Sequence, residues 1–157
     1  MVEQIGEKTK TKNYEPEIVY MTVNKKINSR FFIAEGNNHQ QQGGNKFIPK
    51  VLNPSSGSVI VEEMSKNDAY DFHLAAQLVT QGTCTPTHYT VAYNASKIPQ
   101  EALITFTYEQ CFNYYNWEGA VRVPACLQCA DKLAKLVGEH IQQDMTDSEN
   151  SKRHYFL

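Results

Sequence analysis

The chain has 157 residues, 41% of them hydrophobic, which is enough for one core and too apolar for an intrinsically disordered class. Its formal net charge of -2 excludes a protein that grips nucleic acid by bulk electrostatics, so any such binding must rest on local clusters. The opening MVEQIGEKTKTKNYEPE is too polar for a signal peptide and no apolar run approaches the ~20 residues of a membrane span, so a cytoplasmic or nuclear chain with no membrane partner is expected. Cys84, Cys111, Cys126 and Cys129 accordingly read as reduced thiols.

Residues 1–16 form a polar lead-in that is assigned no role. Ile18 to Val23, IVYMTV, is apolar on both faces of a period-two pattern and predicts a strand buried on both sides. It runs into NKKINSRFF, where Lys25, Lys26 and Arg30 make a compact basic cluster before a second strand over Arg30 to Ile33. That cluster is either a solvated strand end or a grip on phosphate. Residues 36–53 carry the Asn/Gln/Gly bias of a long surface loop, and PSSGSVIVEE from Pro54 to Glu63 predicts a turn and a strand. Phe72, Leu74, Ala76 and Leu78 alternate over Asp71 to Leu78, the pattern of a half-covered strand, with His73 on its other face as a satisfied structural group.

The stretch Thr80 to Asn94, TQGTCTPTHYTVAYN, joins a polar loop to a strand in which Tyr89, Val91 and Tyr93 share a face. Gly82 permits close backbone approach to a ligand, and Thr80, Gln81, Thr83, Thr85 and Thr87 crowd neutral hydrogen-bonding groups onto the loop, a chemistry suited to sugar and phosphate oxygens. Read by composition alone it is equally a satisfied turn. A helix starts at Pro99, with Ile104, Tyr108, Cys111 and Tyr115 at helical spacing, and stops in NWEG at Asn116 to Gly119. A last helix opens at Pro124 and runs to about His140 on a stripe of Leu127, Ala130, Ala134, Val137 and Ile141. Asp131 sits at the edge of that stripe, where an i,i+4 pair with Lys135 is the simplest role. The CxxC of Cys126 and Cys129 lacks the second pair that a zinc site needs and reads as incidental thiols.

Several of these segments, in order, resemble the Piwi domain of Argonaute and Piwi proteins. TQGTCTPTHY is similar to the family's Q-G-T-x-x-P-T-H-Y, VNKKINSRFF to V-x-K-R-x-N-T-R-F-F, and PSSGSVIVEE to P-x-G-T-V-x-D. ITFTYEQCFNYYNWEGAVRVPA resembles the Piwi form LTYxxCxxYxNWxGxxRVPA, PACLQCADKLAKLV resembles P-A-P-x-x-Y-A-H-K-L-A-F-L, and the final YFL resembles family endings such as Y-Y-L. The resemblance implies an α/β RNase H-like fold, here the C-terminal half of a Piwi domain over residues 17–157, with helices packed on a mixed sheet.

It further implies small-RNA-guided silencing, with a guide RNA and a complementary target RNA as partners. RNA-binding roles carry over to Lys25, Lys26, Arg30, Gln81, Thr83, Arg122, Gln128 and the carboxylate of Leu157. The family cleaves RNA with acidic residues around two magnesium ions. Asp131 falls where the family carries its last metal-site residue, usually His, and is the catalytic and metal-ligand candidate, with Leu157 beside a bound cation near the guide 5′-phosphate. The two upstream aspartates and the glutamate finger that the resemblance implies are not among these residues. Completion by an upstream half-domain and a 5′-phosphate-binding domain is therefore expected, and the chain alone is expected to be inactive. A binding-only protein and an interaction fragment without cleavage are the alternatives.

Overall fold

The computed structural model describes residues 15–35, 50–63 and 70–142. Four strands form the main sheet: β1 (Val19–Asn24), β4 (Ser58–Glu63), β5 (Tyr70–Ala75) and β6 (Thr87–Asn94), in the order β1-β6-β5-β4. Between the first two in sequence, β2 (Ile33–Glu35) and β3 (Lys50–Leu52) pair as a separate ribbon. Helix α1 (Gln100–Glu109) tightens into a 3₁₀ turn at Gln110–Phe112, and α2 (Ala125–Lys135) widens into a π-helical turn at Leu136–Ile141.

Every pairing among the described strands is antiparallel, which narrows the expected mixed sheet. β4, β5 and β6 follow one another through connections too short for the crossover that parallel neighbours require. The core lies between this sheet and the segment running from α1 to Ala120: Phe72, Leu74, Tyr89 and Val91 meet Cys111 and Ala120, with Ile104 and Tyr108 packed at the margin. Phe72 and Tyr89 are cross-strand partners, and their rings stack at 4.8 Å and 6°. Burial pushes the Cys111 thiol up to about 12 and the Tyr89 phenol up as well.

Several expected boundaries move for identifiable reasons. Among the described residues β1 pairs with β6 alone, at the edge of the sheet, and its residues alternate between half-buried and exposed instead of being covered on both sides. β5 is the reverse case: it is central, stops at Ala75, and is buried on both faces, while Leu78 is exposed in the loop beyond it. The register of β1 against β6 slips between Tyr20 and Met21, whose partners are Tyr93 and Val91, making Ala92 an extra residue that turns Tyr93 out of the core. The second strand forms at Ile33–Glu35 rather than Arg30 to Ile33, and the stretch read as a loop over 36–53 supplies its partner β3. The regular α-helix of α1 ends at Glu109, so Tyr115 lies outside it and is exposed, not part of a buried stripe. On α2, Leu127, Ala130 and Ala134 are exposed, and Ala125 is the buried residue.

The turn into β4 depends on Gly57, which adopts φ +86 with its amide bonded to Ala75 O at 2.9 Å. A Cβ there would meet the Tyr108 ring at 3.1 Å, and the neighbouring Ser56 hydroxyl is 3.0 Å from the Tyr108 hydroxyl. Gly57→Ala should therefore destabilise the chain by about 1–2 kcal/mol or more from backbone strain alone. Gly138→Ala, where an added Cβ meets nothing within 4 Å, should be neutral or stabilising by up to ~1 kcal/mol. Urea unfolding of the two variants beside the parent checks the contrast.

Candidate nucleic-acid interface

The loop between β5 and β6 is held from below by a residue the sequence reading passed over. Asn53 donates from Nδ2 to Val79 O at 3.1 Å and to Gly82 O at 2.8 Å, while its Oδ1 accepts from the Cys84 amide at 2.9 Å. One side chain thus closes the loop across its base, and Gly82, at φ +78 with open space around its Cα, takes the left-handed corner. Cys84, Pro86 and Thr87 are buried below; Thr80, Gln81 and Thr83 are exposed above. Asn53 was obscured because it stands in a polar stretch that reads as surface loop.

Arg122 meets this loop from the segment before α2. The Thr87 hydroxyl donates to Arg122 O at 3.1 Å, and the Arg122 guanidinium donates to the backbone carbonyl of Lys25 at the end of β1. Its Nε is buried without a hydrogen-bond partner among the described residues. Arg122 and Gln77 line two adjoining clefts. The first, about 170 Å³, lies against Thr83, Cys84 and Thr85; the second, about 240 Å³, is bounded by Tyr114, Asn116, Trp117 and Gln128. Burial raises the Cys84 thiol, and the charges of Arg122 and Arg30 oppose that rise.

The basic cluster divides on folding. Lys25 does not point freely to solvent: its Nζ lies 3.1 Å from Asp131 Oδ2, joining β1 to α2, and Lys135 Nζ reaches the same oxygen at 3.5 Å. The hydrogen bond and charge of Lys25 lead in holding the Asp131 carboxyl below the usual carboxylate range, with Lys135 adding and partial desolvation opposing. Arg30 is spent on its own turn, donating to Ile27 O and Ser29 O at 2.8 Å each. Lys26 is exposed beside Asn24, whose Oδ1 accepts its backbone amide at 3.1 Å. Leu157 lies outside the described residues. Thus Arg122, Thr83 and Gln128 gather around the two clefts and Lys25 with Asp131 stands at their flank, while Arg30 belongs to the turn.

Across the sheet, away from the core, His88 Nε2 lies 2.9 Å from Asp71 Oδ2, and its ring stacks on His73 at 4.4 Å. Phe31 meets His73 edge-on at 5.3 Å. His73 is therefore built into an aromatic stack, the structural role read for it.

Residues 2–142 match the Piwi domain family. The chain belongs to the Piwi family. It is 39% identical to Protein argonaute-3 of Drosophila melanogaster over 139 residues, covering 88% of this chain and 15% of that protein. It is 35% identical to Protein piwi of the same organism over 161 residues, covering 99% of this chain and 17% of that protein. Among solved structures it resembles Drosophila Piwi, with a TM-score of 0.66 and 35% identity over 87% of this chain and 17% of that one. A Kluyveromyces polysporus Argonaute with a guide RNA shares the fold at a TM-score of 0.72 and 18% identity, over 99% of this chain and 20% of that one. This Piwi-family chain thus spans about one-sixth of the length of such relatives and has the α/β RNase H-like fold expected of it. No helix among its described residues is long and apolar enough to cross a membrane.

RNase H-like nucleases work with divalent metal, so the fit of these residues to an ion matters. Among the described residues no group of three or more His, Cys, Asp or Glu side chains could hold one. Asp131 is a single, half-exposed carboxylate shared by two ammonium groups, which falls short of a metal site by itself.

Because the folded-state pKa of Asp131 is depressed, the pair stabilises the fold near neutral pH and is lost as the pH falls through that value. Lys25→Ala should move the Asp131 carboxyl up toward the ordinary carboxylate range, further than Lys135→Ala does, since Lys25 is nearer and contributes more. Carboxyl carbon NMR shifts followed through an acid titration of both variants provide the check.

Proposed function

We propose that the chain is part of a small-RNA-guided silencing protein, in which the surface around Arg122 binds the sugar-phosphate backbone of a guide RNA. Membership of the Piwi family supports the class of activity, and a more distant protein of this fold is known with a guide RNA. The observation that carries the reading is local: the neutral donors Thr83 and Thr85 of one loop, Arg122 and the amide of Gln128 line two adjoining clefts from three separated segments, with Gln81 exposed on the same loop. Such a set suits phosphate and ribose oxygens, holding the backbone by hydrogen bonds with few charges.

In this reading Asp131 is the ligand that the described residues offer to a magnesium ion, and the remaining ligands, like the 5′-phosphate pocket and the target strand, involve residues outside those described. The cation would supply Lewis-acid activation of the scissile phosphate. The chain's own contribution is to hold the carboxylate ionised and aimed, through Lys25 and Lys135. A binding-only role is the second reading, favoured by one observation: Asp131 is already neutralised by two lysines, so a cation would have to displace an ammonium group.

Binding of a 5′-phosphorylated single-stranded oligoribonucleotide, followed by anisotropy over a salt series, tests the reading. We expect weak binding with a shallow salt slope, reduced by about one in magnitude in Arg122→Gln, as loss of a phosphate contact dictates. Asp131→Asn should bind RNA at least as tightly as the parent, because Lys25 is then released toward phosphate. Equal salt slopes for the parent and Arg122→Gln would remove Arg122 from the RNA surface.

A further inference from the structure

Resting on the RNA-binding reading, we propose that Trp117 is a stacking platform for one unpaired nucleobase of the bound strand. Trp117 is the single tryptophan of the chain and stands in the turn Asn113 to Gly119, which no backbone-directed role absorbs. The turn is tied at both levels: the Trp117 amide donates to Tyr114 O at 3.2 Å, and below it the Val121 amide donates to Cys111 O at 2.9 Å, with Cys111 wholly buried. The backbone beneath the indole is thus anchored to the core.

The indole itself is not consumed by packing. It is 57% exposed, and the neighbouring Tyr115 is 83% exposed, an unusual amount of aromatic surface for a loop fixed to the core. Gly119 lies along one edge of the indole, where a Cβ would sit 3.5 Å from Nε1 in ordinary van der Waals contact. The indole borders two hollows at once. One is the cleft of Arg122 and Gln128; the other is a broad, open hollow of about 580 Å³ formed by Asn116, Trp117, Glu118 and Gly119. Asn116 belongs to both.

This juxtaposition selects the ligand class. A planar π-surface next to an amide and a carboxylate matches a ring with both donors and acceptors on its edge, and the guanidinium of Arg122 on the adjoining side matches an anionic linker. A nucleobase on a sugar-phosphate chain satisfies both, and stacking of this kind tolerates any base because every base has a π-face. The platform would therefore add affinity without reading sequence, in keeping with the few charges around the clefts.

Trp117 being the single tryptophan, its fluorescence reports the contact directly. The 157-residue chain is titrated with a 5′-phosphorylated single-stranded oligoribonucleotide, recording tryptophan emission and RNA anisotropy together, and then with an oligomer of the same length made of abasic ribose phosphate. Emission should be quenched in step with anisotropy by the RNA and not by the abasic oligomer. Trp117→Ala should weaken RNA binding by roughly tenfold, Trp117→Phe should retain most of it, and neither change should affect the abasic oligomer. RNA binding with unquenched emission and an unchanged Trp117→Ala affinity would overturn the platform and leave the RNA reading standing. No anisotropy change with RNA would overturn both, and quenching by a proline-rich peptide but not by RNA would assign the hollow to a protein partner.

Discussion

The stacked rings of Phe72 and Tyr89 hold the two central strands in one register, and the geometry of the interface depends on that register. Both side chains are wholly buried, at the middle of β5 and near the start of β6. Side chains alternate with a period of two, so a slip of β5 by one residue would bring His73 toward the core and expel Phe72 from its place on Tyr89. The stack therefore fixes the separation of the β5 end from the β6 start. Those two points are where the Gln81 and Thr83 loop is attached.

From that fixed loop the interface is assembled by three long-range ties. Asn53 closes the loop, the Thr87 hydroxyl captures the Arg122 carbonyl, and the Arg122 guanidinium captures the Lys25 carbonyl. Each uses a backbone group of one segment and a side chain of another, which makes position insensitive to surface charge. The same economy accounts for the weak basic character of the surface. Lys25 neutralises Asp131 and Arg30 braces its own turn, so Arg122 and Lys26 are the cations of the expected RNA-binding set not committed to a carboxylate or to a local turn.

The fold class and family were legible because they rest on local patterns. Pro99 and Pro124 stand as N-caps, the β4 turn and strand follow PSSGS, and the QGT loop enters β6 as read. Several assignments failed where one strand's neighbours decide burial. Ile18 to Val23 is as apolar as a central strand but lies at the edge of the described sheet, and the Asp71 strand has the alternation of a half-covered strand but lies at its centre. Tyr93 left the core through a single extra residue at Ala92, a bulge that no pattern of alternation announces.

By itself the sequence determined which groups are available: neutral donors on one loop, a small basic cluster, one tryptophan and a carboxylate at Asp131. It did so because residue type sets hydrogen-bonding capacity and charge wherever the chain goes. Only the tertiary structure decided which groups meet. Lys25 and Asp131 are far apart in sequence and 3.1 Å apart in the fold, so two residues read as separate phosphate and metal contacts became each other's partner. Likewise Asn53, unremarked in a polar stretch, became the clasp of the loop. Pairings of this kind depend on strand order and register, which are set by burial of the Phe72 and Tyr89 rings and not by the residues that form the pairs.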